Sequence, residues 1–315
     1  MTKTIDIKMY KKYLLSLILL FSILLFFAFS LGPYPFKISN QLQANEQSYS
    51  DKINTGDLDL KIPIKILRDL PLDRKPGMVW ATTTLDRINE TIKSGSGNCS
   101  NLTFGFASLL YKKKYPFQVI HLLNSETFLY GIGHTVIAIP YEYENITQIG
   151  IYDVLENGFP LNKDEKFVTY LDFVSQNFNK SEGYIYNPII GEKILSNYWN
   201  QEFLNSKGEL GVMKGEEIER YFFITDNLFF TLENKKYERF FLDGIALLFG
   251  YLPKVYISDK TYANFIKLDV IRFYINASKF ILLSIRLVLF SIVILIAWCF
   301  ISIFHHLLVK KTPMK

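Results

Sequence analysis

Three residues of the 315-residue chain combine types and surroundings suited to covalent chemistry: Cys99, His134 and Asp153. A thiol becomes a strong nucleophile when its proton is withdrawn, and the first turn of a helix favours the anion through backbone N–H groups that lack an intrahelical acceptor. Cys99 stands at such a start. Gly95-Ser96-Gly97-Asn98 interrupts the chain before it, and Leu102, Phe106, Leu109 and Leu110 follow at helical spacing. Lys112, Lys113 and Lys114 fall in the last turn, where cations suit the dipole, and Tyr115-Pro116 stops the helix. The glycines let the chain turn sharply and leave room for a carbonyl group to approach the sulfur. His134 opens a strand directly after Gly131-Ile132-Gly133, and Asp153 closes the next strand. Setting the two opposite each other in a hairpin centres the turn between Tyr143 and Glu144, inside the polar stretch 141–147. Opposed residues share a face, so Asp153 can orient the imidazole and stabilise its protonated form.

These residues need a scaffold. Leu85, Ile88 and Ile92 recur at helical spacing ahead of the glycines, and strand-like runs follow at Phe117–Leu123, His134–Pro140 and Ile149–Val154. The pattern predicts an α+β domain over residues 62–163, with the Cys99 helix packed on an antiparallel sheet. Residues 32–61 read as a linker, its centre at 39–56 rich in Asn, Gln, Ser, Asp and Lys. From 164 to 280 aromatic-rich stretches such as Phe167–Phe178, Ile189–Phe203 and Asn227–Leu252 read as a mostly helical extension with no chemical signature.

The formal charge of +5 does not point to nucleic acid, because the basicity sits at the ends: residues 1–13 are net +3, residues 281–315 net +4, and the rest net −2. Residues 14–31 carry no charge and can cross a hydrocarbon layer roughly 30 Å thick. That run is longer than the usual apolar core of a signal peptide, so an uncleaved anchor is expected. A second uncharged run, 287–304, lies in an expected membrane helix over 281–308, with Arg286 able to snorkel at one edge. Lys3, Lys8, Lys11 and Lys12 before the first run, and Lys310, Lys311 and Lys315 after the second, place residues 1–13 and the tail 309–315 in the cytoplasm and residues 32–280 outside it. Six Asn-x-Ser/Thr sequons, two of them at Asn98 and Asn101 beside Cys99, favour a bacterial over a secretory-pathway setting. Cys299 lies in the second apolar run, which leaves Cys99 without an external disulfide partner.

Gly97-Asn98-Cys99 opening a helix, a strand one helix length later, then Gly131-Ile132-Gly133-His134 and a following strand with Asp153 resemble the bacterial transglutaminase-like superfamily, whose core is a papain-like Cys-His-Asp fold. The resemblance covers residues 78–160 and implies Cys99 as nucleophile, His134 as base and Asp153 as orienting acid. It also implies cleavage or crosslinking of peptide bonds through a thioester. Members of that superfamily often carry an Arg in the strand after the Cys helix, where this chain reads Tyr115-Pro116-Phe117-Gln118-Val119, and an aromatic residue soon after the His, where it reads Thr135-Val136. Substrate preference therefore does not carry over. The reading is a membrane-anchored cysteine peptidase or amidase acting on a peptide or amide outside the cytoplasm, with water the expected acceptor. The alternative is a non-catalytic scaffold of envelope or polysaccharide assembly.

Other residues compete for roles. Trp80 could donate an indole N–H to an oxyanion, although the backbone N–H of Cys99 is the safer donor. His121 is an alternative base but lacks a carboxylate at comparable spacing, and Glu156 could stand in for Asp153, although Glu156-Asn157-Gly158 looks more like a turn. His305 and His306 are adjacent, diverge on a helix and read as interfacial residues. No zinc, P-loop or EF-hand pattern occurs, so no metal or cofactor is expected.

Overall fold

A computed structural model describes residues 7–30, 36–38, 58–70, 84–123, 133–143, 146–162, 164–170, 172, 183–196, 199, 209–227, 243, 246, 249–267 and 269–311. The chain divides into two compact units, Met1–Pro33 with Asp269–Lys315, and Tyr34–Leu268.

In the first unit, helix α1 (Ile7–Ser30) packs against the last helix of the chain, Asp269–Lys311. Lys279–Ile301 of that last helix is long and apolar enough to cross a membrane; Lys12–Leu24 of α1 is a shorter apolar stretch. Leu15, Leu19, Phe280, Phe290 and Phe300 are exposed on these two helices.

The second unit combines helices with antiparallel sheet. Helix α2 (Ile62–Asp69) precedes α3 (Thr84–Ser94), which ends at Gly95, whose φ of +69° a side chain would resist and whose N–H reaches the Thr91 carbonyl. Helix α4 (Cys99–Lys112) follows. Asn98 caps it: its backbone is extended and its side chain accepts the Asn101 N–H at 2.8 Å. The sequence pattern suggests a single apolar face for α4, but Thr103, Phe104, Gly105 and Ser108 are buried along with Leu102, Phe106 and Leu110. The cause is its central position, with α2, α3 and the sheet all packed against it. Small residues at 103, 105, 107 and 108 let those neighbours approach.

The main sheet is six-stranded in the order β1-β9-β8-β2-β3-β4. Its members are β1 (Phe36–Ile38), β2 (Gln118–Leu123), β3 (Gly133–Tyr143), β4 (Ile146–Tyr152), β8 (Glu209–Met213) and β9 (Val255–Ile257). All neighbours are antiparallel except β1 and β9. A three-stranded antiparallel sheet joins β5 (Phe159–Pro160), β6 (Tyr184–Asn187) and β7 (Glu192–Leu195). Helix α5 (Gly215–Asn227) follows β8, and α6 (Asp259–Lys267) leads to the long terminal helix, α7.

Both faces of the main sheet are covered, which is why β3 reads Val136-Ile137-Ala138-Ile139 rather than alternating. All four are fully buried. One face meets α4, through ring contacts of Phe104 with His121 and of Phe106 with Tyr152. On the other, Ile120, Leu122, Val136, Ala138 and Ile151 pack with Val168, Tyr170, Ile185 and Trp199.

Three sequence expectations change. The boundary at residue 163 does not hold, because β8 and β9 complete the same sheet as the Cys99 segment. Residues 164–280 supply β6 to β9 besides helices, so the extension is not mostly helical; Glu192–Leu195, inside a stretch read as helix, is a strand. The linker 32–61 contains β1, paired parallel with β9 through Phe36–Val255 and Ile38–Ile257. Its centre, 39–56, lies outside the described residues.

Candidate active site

The hairpin register differs from direct opposition of His134 and Asp153. Tyr143 pairs with Ile146 and Ile137 with Tyr152, so β3 runs on through Tyr143. Tyr143 suits a strand. The change moves the pairing by two positions, which preserves the face. Asp153 therefore lies diagonal to His134 on the same side of the sheet. Its carboxylate Oδ2 is 2.6 Å from His134 Nε2, and both side chains are fully buried.

Asp153 lies just past β4, where its N–H and carbonyl pair with Gly158 around the turn 154–157. Its Oδ1 accepts the N–H groups of Leu155 at 3.0 Å and Glu156 at 3.1 Å. Its Oδ2 also accepts the indole N–H of Trp199 at 2.8 Å. Four donors thus surround one buried carboxylate, and the buried charge is fully solvated by the protein. Burial alone would raise the Asp153 pKa, yet His134, the Glu156 N–H and Trp199 hold it below the ordinary carboxylate value.

Cys99 meets His134 at an edge. The β3–β4 ladder ends at Ile137 and Tyr152, and α4 covers the part of β3 that lies beyond. The Thr103 hydroxyl donates to the Thr135 carbonyl at 3.0 Å, and the Cys99 sulfur is 3.8 Å from the Gly133 carbonyl. The Thr135 N–H and the His134 ring both favour the ionised sulfur. With Nε2 on Asp153, Nδ1 is the second ring nitrogen, and it too is buried. Gly133 permits the close approach of β3 to β2, because a Cβ there would lie 2.7 Å from the Leu122 carbonyl oxygen.

The electrostatics favour charge separation. Burial opposes ionisation of Cys99, but His134 and the Thr135 N–H outweigh it, so the thiol pKa falls below its usual value. Burial likewise opposes protonation of His134, but Asp153 and Cys99 raise its pKa to about 10. Each group thus favours the charged form of the other. In the neutral thiol form the S–H points to the Gly133 carbonyl instead. Cys99 and Gly133 are partly buried while His134 is 1% exposed, so the site is more open to solvent at the nucleophile than at its base.

The remaining candidates stay apart from the sulfur. His121 alternates to the α4 face, where its Nδ1 is 3.0 Å from the Thr135 hydroxyl, and burial lowers its pKa to about 4. Glu156 contributes its N–H to Asp153, and its carboxylate accepts from Ser196. Trp80, Gly131 and Ile132 lie outside the described residues, as do the side chains of His305 and His306. Trp199 is the site residue that sequence reasoning missed. The available signal was general: a buried indole N–H seeks an acceptor, and a buried carboxylate seeks several donors.

No family model, curated protein or solved structure matches the chain.

Proposed function

We propose that the protein is a thiol-dependent acyl-transfer enzyme, most simply a peptidase or amidase, held at a membrane with its Cys99 unit outside the cytoplasm. The observation that carries this reading is Asp153 Oδ2 2.6 Å from His134 Nε2, with the thiol of a helix start 3.8 Å from the carbonyl of Gly133, the residue before that histidine. In the proposed reaction the Cys99 thiolate adds to an amide or ester carbonyl carbon, and the carbonyl electron pair moves onto oxygen. The backbone N–H of Cys99, in the first turn of α4, stabilises that oxyanion. The His134 imidazolium then gives its proton to the leaving nitrogen or oxygen as the carbon–heteroatom bond breaks. Neutral His134 next takes a proton from water, the hydroxide adds to the thioester, and the carbon–sulfur bond breaks to return the thiolate and a carboxylic acid. Asp153 keeps the ring oriented and stabilises its charged form throughout.

The order of elements, with a Cys helix, a His strand and then an Asp at the next strand end, supports a transglutaminase-like, papain-like core. The length of Lys279–Ile301 in α7, the uncharged sequence run 14–31, the exposed Leu and Phe side chains of both helices and their Lys flanks support two membrane spans with both ends cytoplasmic. A peptide or amide outside the membrane is the substrate class.

The test is the rate of Cys99 alkylation by iodoacetamide against pH, in the whole protein and in His134→Ala. The expected profile keeps a thiolate well below the ordinary thiol pKa of roughly 8.5, and His134→Ala returns it to that value or above. An ordinary profile in the unmodified protein, unchanged in His134→Ala, leaves the scaffold reading in its place.

A further inference from the structure

Asp153 is held by more than the residue it serves. Trp199 is 2% exposed, and its ring meets His134 edge-on at 6.3 Å between centroids. Its indole N–H donates to the carboxylate oxygen that His134 also uses. The tryptophan is itself anchored: its backbone N–H donates to the Ser196 hydroxyl at 3.0 Å, and that hydroxyl donates to the Glu156 carboxylate at 2.9 Å. The Ser196 N–H donates to the Gly183 carbonyl at 2.7 Å, which fixes the segment after β7. Glu156 closes the circuit, because its N–H donates to Asp153 Oδ1. Asp153, Glu156, Ser196 and Trp199 thus form a ring of hydrogen bonds drawn from two segments whose bonded residues are 40 and 46 positions apart in sequence.

We propose that Trp199 is a positioning residue: its indole N–H fixes Oδ2 of Asp153 toward His134 and keeps that carboxylate ionised, with Ser196 and Glu156 holding the indole in place. The inference rests on the reading of Cys99 as an activated nucleophile and names a residue that tunes it. The backbone donors on Oδ1 leave the carboxylate free to pivot about that oxygen; among the described residues, the indole and His134 define the other. Both side chains of the pair are fully buried and Trp199 is 2% exposed, so the indole is not readily replaced by bulk water. The titratable groups facing the carboxylate are His134 from β3, Cys99 beyond it on α4, and Glu156 from the same turn. Without the indole N–H, Asp153 accepts a proton more readily and Oδ2 loses its fixed direction. The imidazolium is then less favoured, and the proton returns to sulfur at higher pH.

The variant Trp199→Phe keeps the apolar cover and removes only the donor. In the full-length protein it should move the acid limb of the Cys99 alkylation profile upward and slow alkylation near neutral pH about tenfold, the scale of one hydrogen bond to a charged group. Ser196→Ala, which frees the indole without touching the carboxylate, should move the limb in the same direction by less. Ser196→Ala also carries the test alone if Trp199→Phe does not fold, since an unchanged limb there would then overturn the proposal. A loss of thermal stability in Trp199→Phe with an unchanged alkylation profile makes Trp199 a packing residue and overturns the proposal while the nucleophile reading stands. An ordinary thiol profile in the unmodified protein overturns both.

Discussion

Asp153→Asn is the most informative single substitution, because its consequences follow from counted hydrogen bonds. The carboxylate accepts four donors, two backbone N–H groups on Oδ1 and the His134 and Trp199 N–H groups on Oδ2. An asparagine side chain offers one acceptor oxygen and one NH2 donor. If its oxygen faces Leu155 and Glu156, its NH2 meets the Trp199 N–H and forces His134 Nε2 to become an acceptor. The ring then carries its proton on Nδ1, toward the thiol, and cannot take the thiol proton. The reverse orientation sets the NH2 against two backbone N–H groups instead. Either way donors meet donors among fully buried side chains. His134, now dominated by burial, should titrate below its ordinary 6.5 rather than near 10. That change corresponds to a coupling on the order of 5 kcal/mol, and the cost to folding should be about 3–5 kcal/mol, the usual range for breaking one side of a buried pair.

The pH dependence has a defined sign. The folded pKa of His134 lies above its unfolded value, so the stabilisation is fully present below 6.5 and disappears as pH rises through about 10. The Asp153 pKa is depressed, so its share is present above 3.8 and is lost as pH falls through the lower folded value. The stability difference between the native chain and Asp153→Asn should therefore be greatest at mildly acid to neutral pH and shrink in strong alkali. Thermal unfolding of the full chain in detergent measures it, and nitrogen NMR of the four histidines, with His134→Ala for assignment, follows the imidazole directly. A His134 midpoint that remains near 10 in Asp153→Asn, or a stability difference that is the same in neutral and strongly alkaline buffer, would refute the ion-pair argument.

Other substitutions probe the surroundings. His121→Gln keeps a partner for the Thr135 hydroxyl and, because His121 is neutral above about pH 4, should leave the alkylation profile of Cys99 unchanged; a shift matching that of His134→Ala would instead make His121 the base. Gly133→Ala puts a Cβ 2.7 Å from the Leu122 carbonyl oxygen, where backbone must move. It should cost roughly 1–3 kcal/mol in thermal unfolding and slow Cys99 alkylation, and an unaltered melting temperature would show that the strand edge has slack. For topology, a reporter active only outside the membrane should be active when fused at residue 160 and silent at 315; the opposite pattern inverts the orientation.

The helix opened by Cys99 and the strands carrying His134 and Asp153 were readable because each has a local sign: a glycine break and cap, β-rich runs, and a Pro stop. The same-face relation of His134 and Asp153 survived a register shift because only parity matters to it. What could not be read are pairings with no local signature. Strand β1 has three residues and finds β9, also of three, at the far end of the domain, and β8 has only five. Strand β7 is exposed at every position, so no alternation marks it. Trp199 belongs to the same class. Nothing near it in sequence names Asp153 as its acceptor, since the contact spans 46 positions and depends on how β7 and the turn after β4 pack.

Asp153 links fold and site in one residue. By accepting the N–H groups of Leu155 and Glu156 on Oδ1, its side chain stabilises the turn that carries the chain away from β3. The ladder consequently ends at Ile137 and Tyr152, and the β3 edge from Gly133 to Thr135 is open for α4. Thr103 and Cys99 occupy that opening, which brings a helix start to the backbone that carries His134. The other oxygen of the same carboxylate faces the imidazole. One oxygen thus makes the gap the thiol fills, and the other sets the charge of the ring the thiol meets. A substitution at 153 must therefore alter both the position and the ionisation of Cys99, whereas one at Trp199 acts on the second oxygen alone. Comparing the two separates geometry from electrostatics at this site.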